Sequence, residues 1–328
     1  MAESEYNGRV KCVKAYIAYA DNGVLRDYFL STEEHFDEMG NQTYNYWYNG
    51  GEKYEDCRVM LRTCQYYYDE FGNIIKTLSK GPYNDVVEEY QYIYNNKGYN
   101  TAIFKDGVLV SKLAYNDNGQ LTRKCFFEGD LIKWQTINIY DQDGHLTEEY
   151  ASDKDGTITD RHIYQYDNKG LLIEDFDEDD MKKTIYKYDN LGRQTSCLIY
   201  DTDACDASTQ EIENFNVLTS SEEDTYDEKG NKVKTVLFNR YTKEPSVTYY
   251  KYNDYGNLTA VETSNNGNRS IYFYDKNNHK HSRTDYNKKG EIIKFVLFDS
   301  YGNTVEEKVY NDNILQRVEK IEFEYHTI

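Results

Sequence analysis

The residues of this chain best equipped for chemistry are acidic, and they cluster. Asp175, Asp177, Glu178, Asp179 and Asp180 form the densest run, just ahead of Met181-Lys182-Lys183. Carboxylates held together can take a divalent cation through oxygen or receive a basic partner; on a hairpin tip they are simply solvated. Asp201, Asp203 and Asp206 form a second acidic group. Both groups are candidate partner-binding sites. Asp153-Lys154-Asp155-Gly156 and Asp141-Gln142-Asp143-Gly144 match the middle of a calcium-binding loop. That loop also needs oxygen ligands at its first and twelfth positions. Those positions hold Ala151 and His162 in one case, Ile139 and Tyr150 in the other, so both read as turns. His279 and His281 lie two apart and could share a metal, but no third ligand is specified and an exposed turn is expected.

Nucleophilic and phosphate-binding signatures are missing. The sequence has no Gly-x-Ser-x-Gly elbow, no glycine-rich loop ending in Lys-Ser/Thr and no His-Glu-x-x-His. Six cysteines, at 12, 57, 64, 125, 197 and 205, contain no Cys-x-x-Cys pair and carry no zinc or disulfide-scaffold signature. Cys57 with Cys64, or Cys197 with Cys205, could bridge in an oxidising compartment, but buried free thiols are expected. No catalytic residue, metal or cofactor is assigned, and a non-enzymatic protein is expected.

The elements that must carry these side chains repeat. An aromatic, Asp or Asn, two further residues and Gly recur eleven times, with the aromatic at Phe36, Tyr68, Tyr94, Tyr115, Tyr140, Tyr166, Tyr188, Tyr226, Tyr252, Tyr286 and Phe298. Looser copies start at Tyr19 and at Tyr274, where Asn278 replaces the Gly. Asp or Asn opens a turn because its side chain accepts a backbone hydrogen bond two residues on. Gly closes it by taking positive φ, as in hairpin loops with a bulge. The turn-structural glycines are Gly72, Gly98, Gly119, Gly144, Gly170, Gly192, Gly230, Gly256, Gly290 and Gly302. Extra turns are expected at Asp106-Gly107, Gly129-Asp130 and Asp155-Gly156.

Before the turn the chain alternates, as in Tyr66-x-Tyr68, Tyr92-x-Tyr94, Tyr164-x-Tyr166 and Tyr250-x-Tyr252. Residues two apart on a strand share a face, so these rings line one side of a sheet. No segment keeps a helical period; Ser31-Thr32-Glu33-Glu34 resembles a capping box but runs into the turn at Phe36 and reads as strand. The fold class is therefore all-β: repeated antiparallel hairpins forming one long curved or coiled meander sheet. Residues 1–328 read as a single array, divergent over 1–65, clear over 66–311 with an inserted loop near 201–224, and ending in a terminal strand over 312–328.

Tyrosine supplies 36 residues, and the net charge is −20. Such a charge repels nucleic acid and suits a protein partner, a basic one above all. No apolar stretch is long enough for membrane insertion as a helix, and a cytoplasmic location is expected, or a secreted or surface one if a leader was removed. A tyrosine face left open would also suit stacking on a carbohydrate.

Tyr188-Asp189-Asn190-Leu191-Gly192-Arg193, Tyr166-Asp167-Asn168-Lys169-Gly170 and Tyr226-Asp227-Glu228-Lys229-Gly230-Asn231 resemble the YD repeat of bacterial Rhs proteins. The likeness runs from about Tyr66 to Asn311 and more weakly through the first 65 residues. It implies long antiparallel sheets, which in the large members wind into a hollow shell around a toxic C-terminal domain. This chain is short for closing such a shell alone, so an open or partial barrel is expected. It continues as strand through Val309-Tyr310 and Ile321–Tyr325 rather than into a separate domain. The resemblance carries over no catalytic residue. A protein-binding or scaffold role is the leading expectation; the alternatives are an acidic immunity protein that neutralises a basic toxin and a surface carbohydrate binder.

Overall fold

The computed structural model describes residues 9–49, 59–81, 87–201, 217–242, 244–264 and 267–326. These residues form 25 strands and no helix. All pairings are antiparallel and follow chain order, from Phe29–Phe36 against Gln42–Asn49 through Thr304–Asn311 against Ile314–Tyr325. The capping-box lookalike lies within the strand Phe29–Phe36.

The meander closes. The first strand, Val10–Asp21, pairs on one edge with Phe29–Phe36 and on the other with the last strand, Ile314–Tyr325. Its register there runs through Val13↔Phe323, Ala15↔Ile321 and Ala18↔Val318. The two-residue strand Val24–Leu25 pairs only with the end of the first strand. Leaving it aside, 24 of the 25 strands form one ring. The expectation of an open or partial barrel is thus corrected: 328 residues suffice, because each repeat adds two strands to the circumference and needs only short turns.

The physical reason lies at the seam. Of ten buried hydrophobic residues among those described, seven (Val10, Cys12, Val13, Ala15, Ala18, Phe36 and Val318) sit on the first strand, its neighbour or the last strand. Val10, Val13 and Phe36 form one cluster, against which Ile321, Phe323 and Tyr325 pack. Ala18 and Val318, directly opposite, are fully buried. Elsewhere the sheet is half-covered, so the apolar residues are concentrated where the two free edges must meet. An unpaired edge would expose a row of N–H and C=O groups; closure removes it.

Because every strand reverses direction, successive turns alternate between two rims. One rim carries the turns at Gly40, Gly72, Gly98, Gly119, Gly144, Gly170, Gly192, Gly230, Gly256, Asn278 and Gly302; Gly23, Gly107, Gly129, Gly156 and Gly290 lie on the other. The turn phrase is therefore almost confined to one rim. The loose copy at Tyr19 is a different structure: the strand runs on to Asp21, and Asn22 and Gly23 both take positive φ (49° and 84°) in a two-residue turn. The loop expected over 201–224 is shorter at its far end, since Val217–Tyr226 is a strand.

Candidate functional site

The repeated residues are committed to architecture. In the turn after Tyr68, one Asp69 carboxylate oxygen accepts the backbone N–H groups of Phe71 and Asn73, each at 2.9 Å. Its other oxygen accepts the Asn73 amide at 2.9 Å. The Asn73 side-chain bond, with the Asn73, Phe71 and Gly72 backbone bonds, holds the Asp69 carboxyl below its usual range against a smaller opposing effect of burial. Gly72 takes φ 81° and donates to the Asp69 carbonyl at 3.1 Å. Asn278 takes the Gly place at φ 64°.

Eight of the turn tyrosines tie their turn to the one before it on the same rim. The hydroxyl of Tyr68 donates to the Gln42 carbonyl at 2.7 Å, Tyr94 to Ile74 at 2.8 Å and Tyr188 to Leu172 at 2.7 Å. Tyr140, Tyr166, Tyr226, Tyr252 and Tyr274 do the same. The acceptor always stands two residues after the preceding turn glycine. At the seam Tyr325 departs from the pattern, donating to the Asp299 carboxylate at 2.9 Å instead of a backbone carbonyl, and the His326 ring contacts the Phe36 carbonyl at 3.2 Å. Burial first, with the Asp299 hydrogen bond and charge adding to it, pushes the Tyr325 phenol up to about 12.

The residue after one glycine also rests on the next turn. A Cβ on Gly119 would stand 2.1 Å from the Tyr99 hydroxyl, and one on Gly170 would stand 2.7 Å from the His145 ring. His145 stacks on Tyr166 with centroids 4.7 Å apart, and the Arg193 guanidinium lies 4.5 Å over Tyr226. The glycines thus also admit the neighbouring turn, which the turn signature alone does not reveal.

The acidic run does not behave as one solvated tip. Asp175 and Asp177 sit on the strand Leu172–Asp177 with only about a quarter of their side chains exposed. They face His162 and Tyr164 of the strand Ile158–Tyr166, with Asp177 directly opposite His162 and Asp175 opposite Tyr164. The His162 Nδ1 lies 3.2 Å from an Asp175 oxygen. Its Nε2 lies 3.7 Å from Asp160 and 3.9 Å from Asp177. Burial alone would lower the His162 pKa; the Asp175 hydrogen bond and the charges of Asp175, Asp177 and Asp160 outweigh it and raise the pKa above its ordinary value. Glu178 instead meets Arg161 at 3.4 Å, and Asp180 pairs with Lys182. The Asp179 and Asp180 backbone N–H groups both donate to one oxygen of Asp177. Sequence reasoning missed Asp160 and His162, because strand pairing, not proximity in the chain, brings them to the run.

Asp201 ends the strand Gln194–Asp201; Asp203 and Asp206 lie outside the described residues. Asp224, within the sheet, is buried and bonded to the Thr235 hydroxyl at 2.6 Å and to Lys232 at 2.5 Å. Cys12, Cys64 and Cys125 are buried free thiols and Cys197 is partly buried; Cys57 and Cys205 lie outside the described residues. His279 is exposed at its turn and contacts Asp275 at 3.7 Å. Five turn tips on the repeat rim expose large apolar side chains: Met39 69%, Phe71 74%, Leu191 74%, Tyr255 79% and Tyr301 56%.

No family model matches the chain. It is 24% identical over 291 residues to teneurin-4 of Homo sapiens, covering 87% of this chain and 9% of that protein. It is 25% identical over 184 residues to teneurin-3 of Mus musculus, covering 55% and 6%. The chain thus spans less than a tenth of the length of these curated relatives. Among solved structures it is similar to the Photorhabdus luminescens Tc holotoxin pore at 13% identity and TM-score 0.43, over 95% of this chain and 19% of that one; so loose a superposition carries no weight here. The sequence likeness supports an Rhs/YD-repeat-like family.

Proposed function

We propose that this chain is a non-enzymatic β-ring that binds or holds a protein partner. The observation that carries the reading is the row of exposed apolar tips on the repeat rim. Turns at Gly256, Asn278 and Gly302, then the seam, then Gly40 and Gly72 follow one another around that rim. Four of these five present Tyr255, Tyr301, Met39 or Phe71 to solvent. Successive turns on one rim are two strands apart, about 10 Å, so the arc is the size of a protein contact. Exposed apolar groups concentrated in this way mark interaction surfaces. The strand edges are used up by closure and the turn carboxylates by their own backbone, which leaves rim and faces as the binding surface.

The test is an affinity capture from an extract, comparing the native chain with Met39→Ser/Phe71→Ser/Tyr255→Ser. A partner retained by the native chain and lost with the triple variant supports the reading. Equal retention by both, or none by either, refutes it.

A second reading, an acidic protein that neutralises a basic toxin, is favoured by the net charge of −20. Charge-driven association weakens steeply with salt, whereas apolar docking at the rim does not, so the salt dependence of the captured complex separates the two. A carbohydrate-stacking role is less favoured, because the turn-tyrosine hydroxyls are already donated to backbone carbonyls.

A further inference from the structure

We propose that Asp160, His162 and Asp177 form a binding site for a divalent transition-metal ion, with Asp175 holding the imidazole in place. The site is independent of the rim and of the binding role above.

Three observations converge. The first is distance. His162 Nε2 stands 3.7 Å from one Asp160 oxygen and 3.9 Å from one Asp177 oxygen, and the three donor atoms lie within 4.8 Å of one another. These separations are too long for hydrogen bonds. They are close to the edge of a ligand tetrahedron, about 3.4 Å for metal–ligand bonds of about 2.0–2.2 Å.

The second is orientation. The Asp175 carboxylate takes Nδ1 at 3.2 Å, which leaves Nε2 to face the other two carboxylates. A carboxylate behind the ring of a ligating histidine is the usual way to fix its tautomer and raise its basicity. Asp177 is fixed as well: its Oδ1 accepts the N–H groups of Asp179 and Asp180, each at 3.0 Å, which turns Oδ2 toward the histidine.

The third is the repeat itself. In each hairpin of the repeat rim, the residues six and four before the turn tyrosine and five and seven after the turn glycine occupy equivalent places. They are Arg62, Cys64, Thr77 and Ser79 in one hairpin, and Ser246, Thr248, Val261 and Thr263 in another. In the hairpin of Gly170 they are Asp160, His162, Asp175 and Asp177. Turn geometry asks for none of these residue types, and four substitutions to metal-donor side chains coincide in one hairpin. One imidazole and two carboxylates suit zinc or a neighbouring divalent ion better than calcium. The other two candidate clusters are weaker. Glu33 beside Cys12 and His35 also faces Lys14 at 3.5 Å, and burial pushes the Cys12 thiol up. In the turn set Asp141, Asp143 and His145, the Asp141 carboxylate is used by the turn backbone and by His145.

The experiment is calorimetric titration of the full chain with zinc chloride at neutral pH and physiological salt, with cobalt(II) absorption as a second readout. The native chain is expected to bind one zinc ion saturably, and cobalt to give the absorption of a tetrahedral site. His162→Gln and Asp160→Asn should weaken binding by more than about 100-fold and abolish the cobalt bands, and Asp175→Asn should weaken binding by about 10–100-fold. His145→Gln should bind like the native chain. Asp160 is more than half exposed, so its variant keeps the test informative if another fails to fold. The proposal is overturned if the native chain shows no saturable site, if His162→Gln and Asp160→Asn titrate like it, or if His145→Gln removes the binding.

Discussion

Replacing Gly192 by Ala isolates the backbone demand of the turn. Gly192 sits at φ +78°, and a Cβ there would meet only Leu171 Cδ1, at 3.8 Å. Space is therefore not limiting, and the cost is that of holding an L-residue in the left-handed region, about 1–2 kcal/mol. Gly192→Asn should cost clearly less, because the short polar side chain tolerates that region and Asn278 already occupies the equivalent place at φ 64°. Gly119→Ala should cost more than Gly192→Ala. Its Cβ would stand 2.1 Å from the Tyr99 hydroxyl and displace a ring that stacks on Tyr115 at 5.0 Å, adding about 0.5–1.5 kcal/mol. Urea unfolding, read as the midpoint shift at unchanged slope, gives the three differences. A neutral Gly192→Ala, or a Gly192→Asn as damaging as the Ala variant, would refute the turn argument.

Three further outcomes follow from the same geometry. Tyr188→Phe removes the 2.7 Å bond to the Leu172 carbonyl and should lower stability by about 0.5–1.5 kcal/mol in urea unfolding, with no change in the far-ultraviolet spectrum. The turn carboxyls of Asp69, Asp141, Asp167, Asp189, Asp227 and Asp275 are all held below their ordinary value. Their stabilisation is present above the unfolded value of 3.8 and lost as pH falls through the lower folded values. The urea midpoint should therefore drop in acid, and Asp69→Asn should shrink that drop while preserving the turn. At the alkaline end, the phenols of Tyr68, Tyr164 and Tyr325 are pushed up to about 12, chiefly by burial. Their contribution is complete below the unfolded value of 10.0 and lost as pH rises from there through about 12, so the urea midpoint should fall over that window.

The turns and the strand class were legible because they rest on local rules. Asp69 and Gly72 announce a hairpin corner wherever they stand, and Tyr66-x-Tyr68 announces a sheet face. Closure was not legible. It depends on Val10–Asp21 meeting Ile314–Tyr325, a contact between chain ends that no local pattern encodes, although the uncharged run Ala15–Ala20 within the first strand is unusual for this chain. The acidic run was visible, but its surroundings were not. Asp175 and Asp177 meet His162 only through the register of one hairpin, and Asp160 joins them because it shares a face with His162. The contact of His145 with the Gly170 turn likewise depends on how neighbouring turns stack around the rim.

The closed ring is tested most directly by a cross-link at the seam. Cys12 is directly opposite Glu324 in the pairing of the first and last strands, and opposed residues on antiparallel strands lie within the reach of a disulfide. Under mild oxidation Glu324→Cys should form an intramolecular disulfide with Cys12, seen as a linked peptide by mass spectrometry. Phe323→Cys, whose partner is Val13, should not. Failure of Glu324→Cys to link within the chain, or equal linking by the two variants, would contradict the ring.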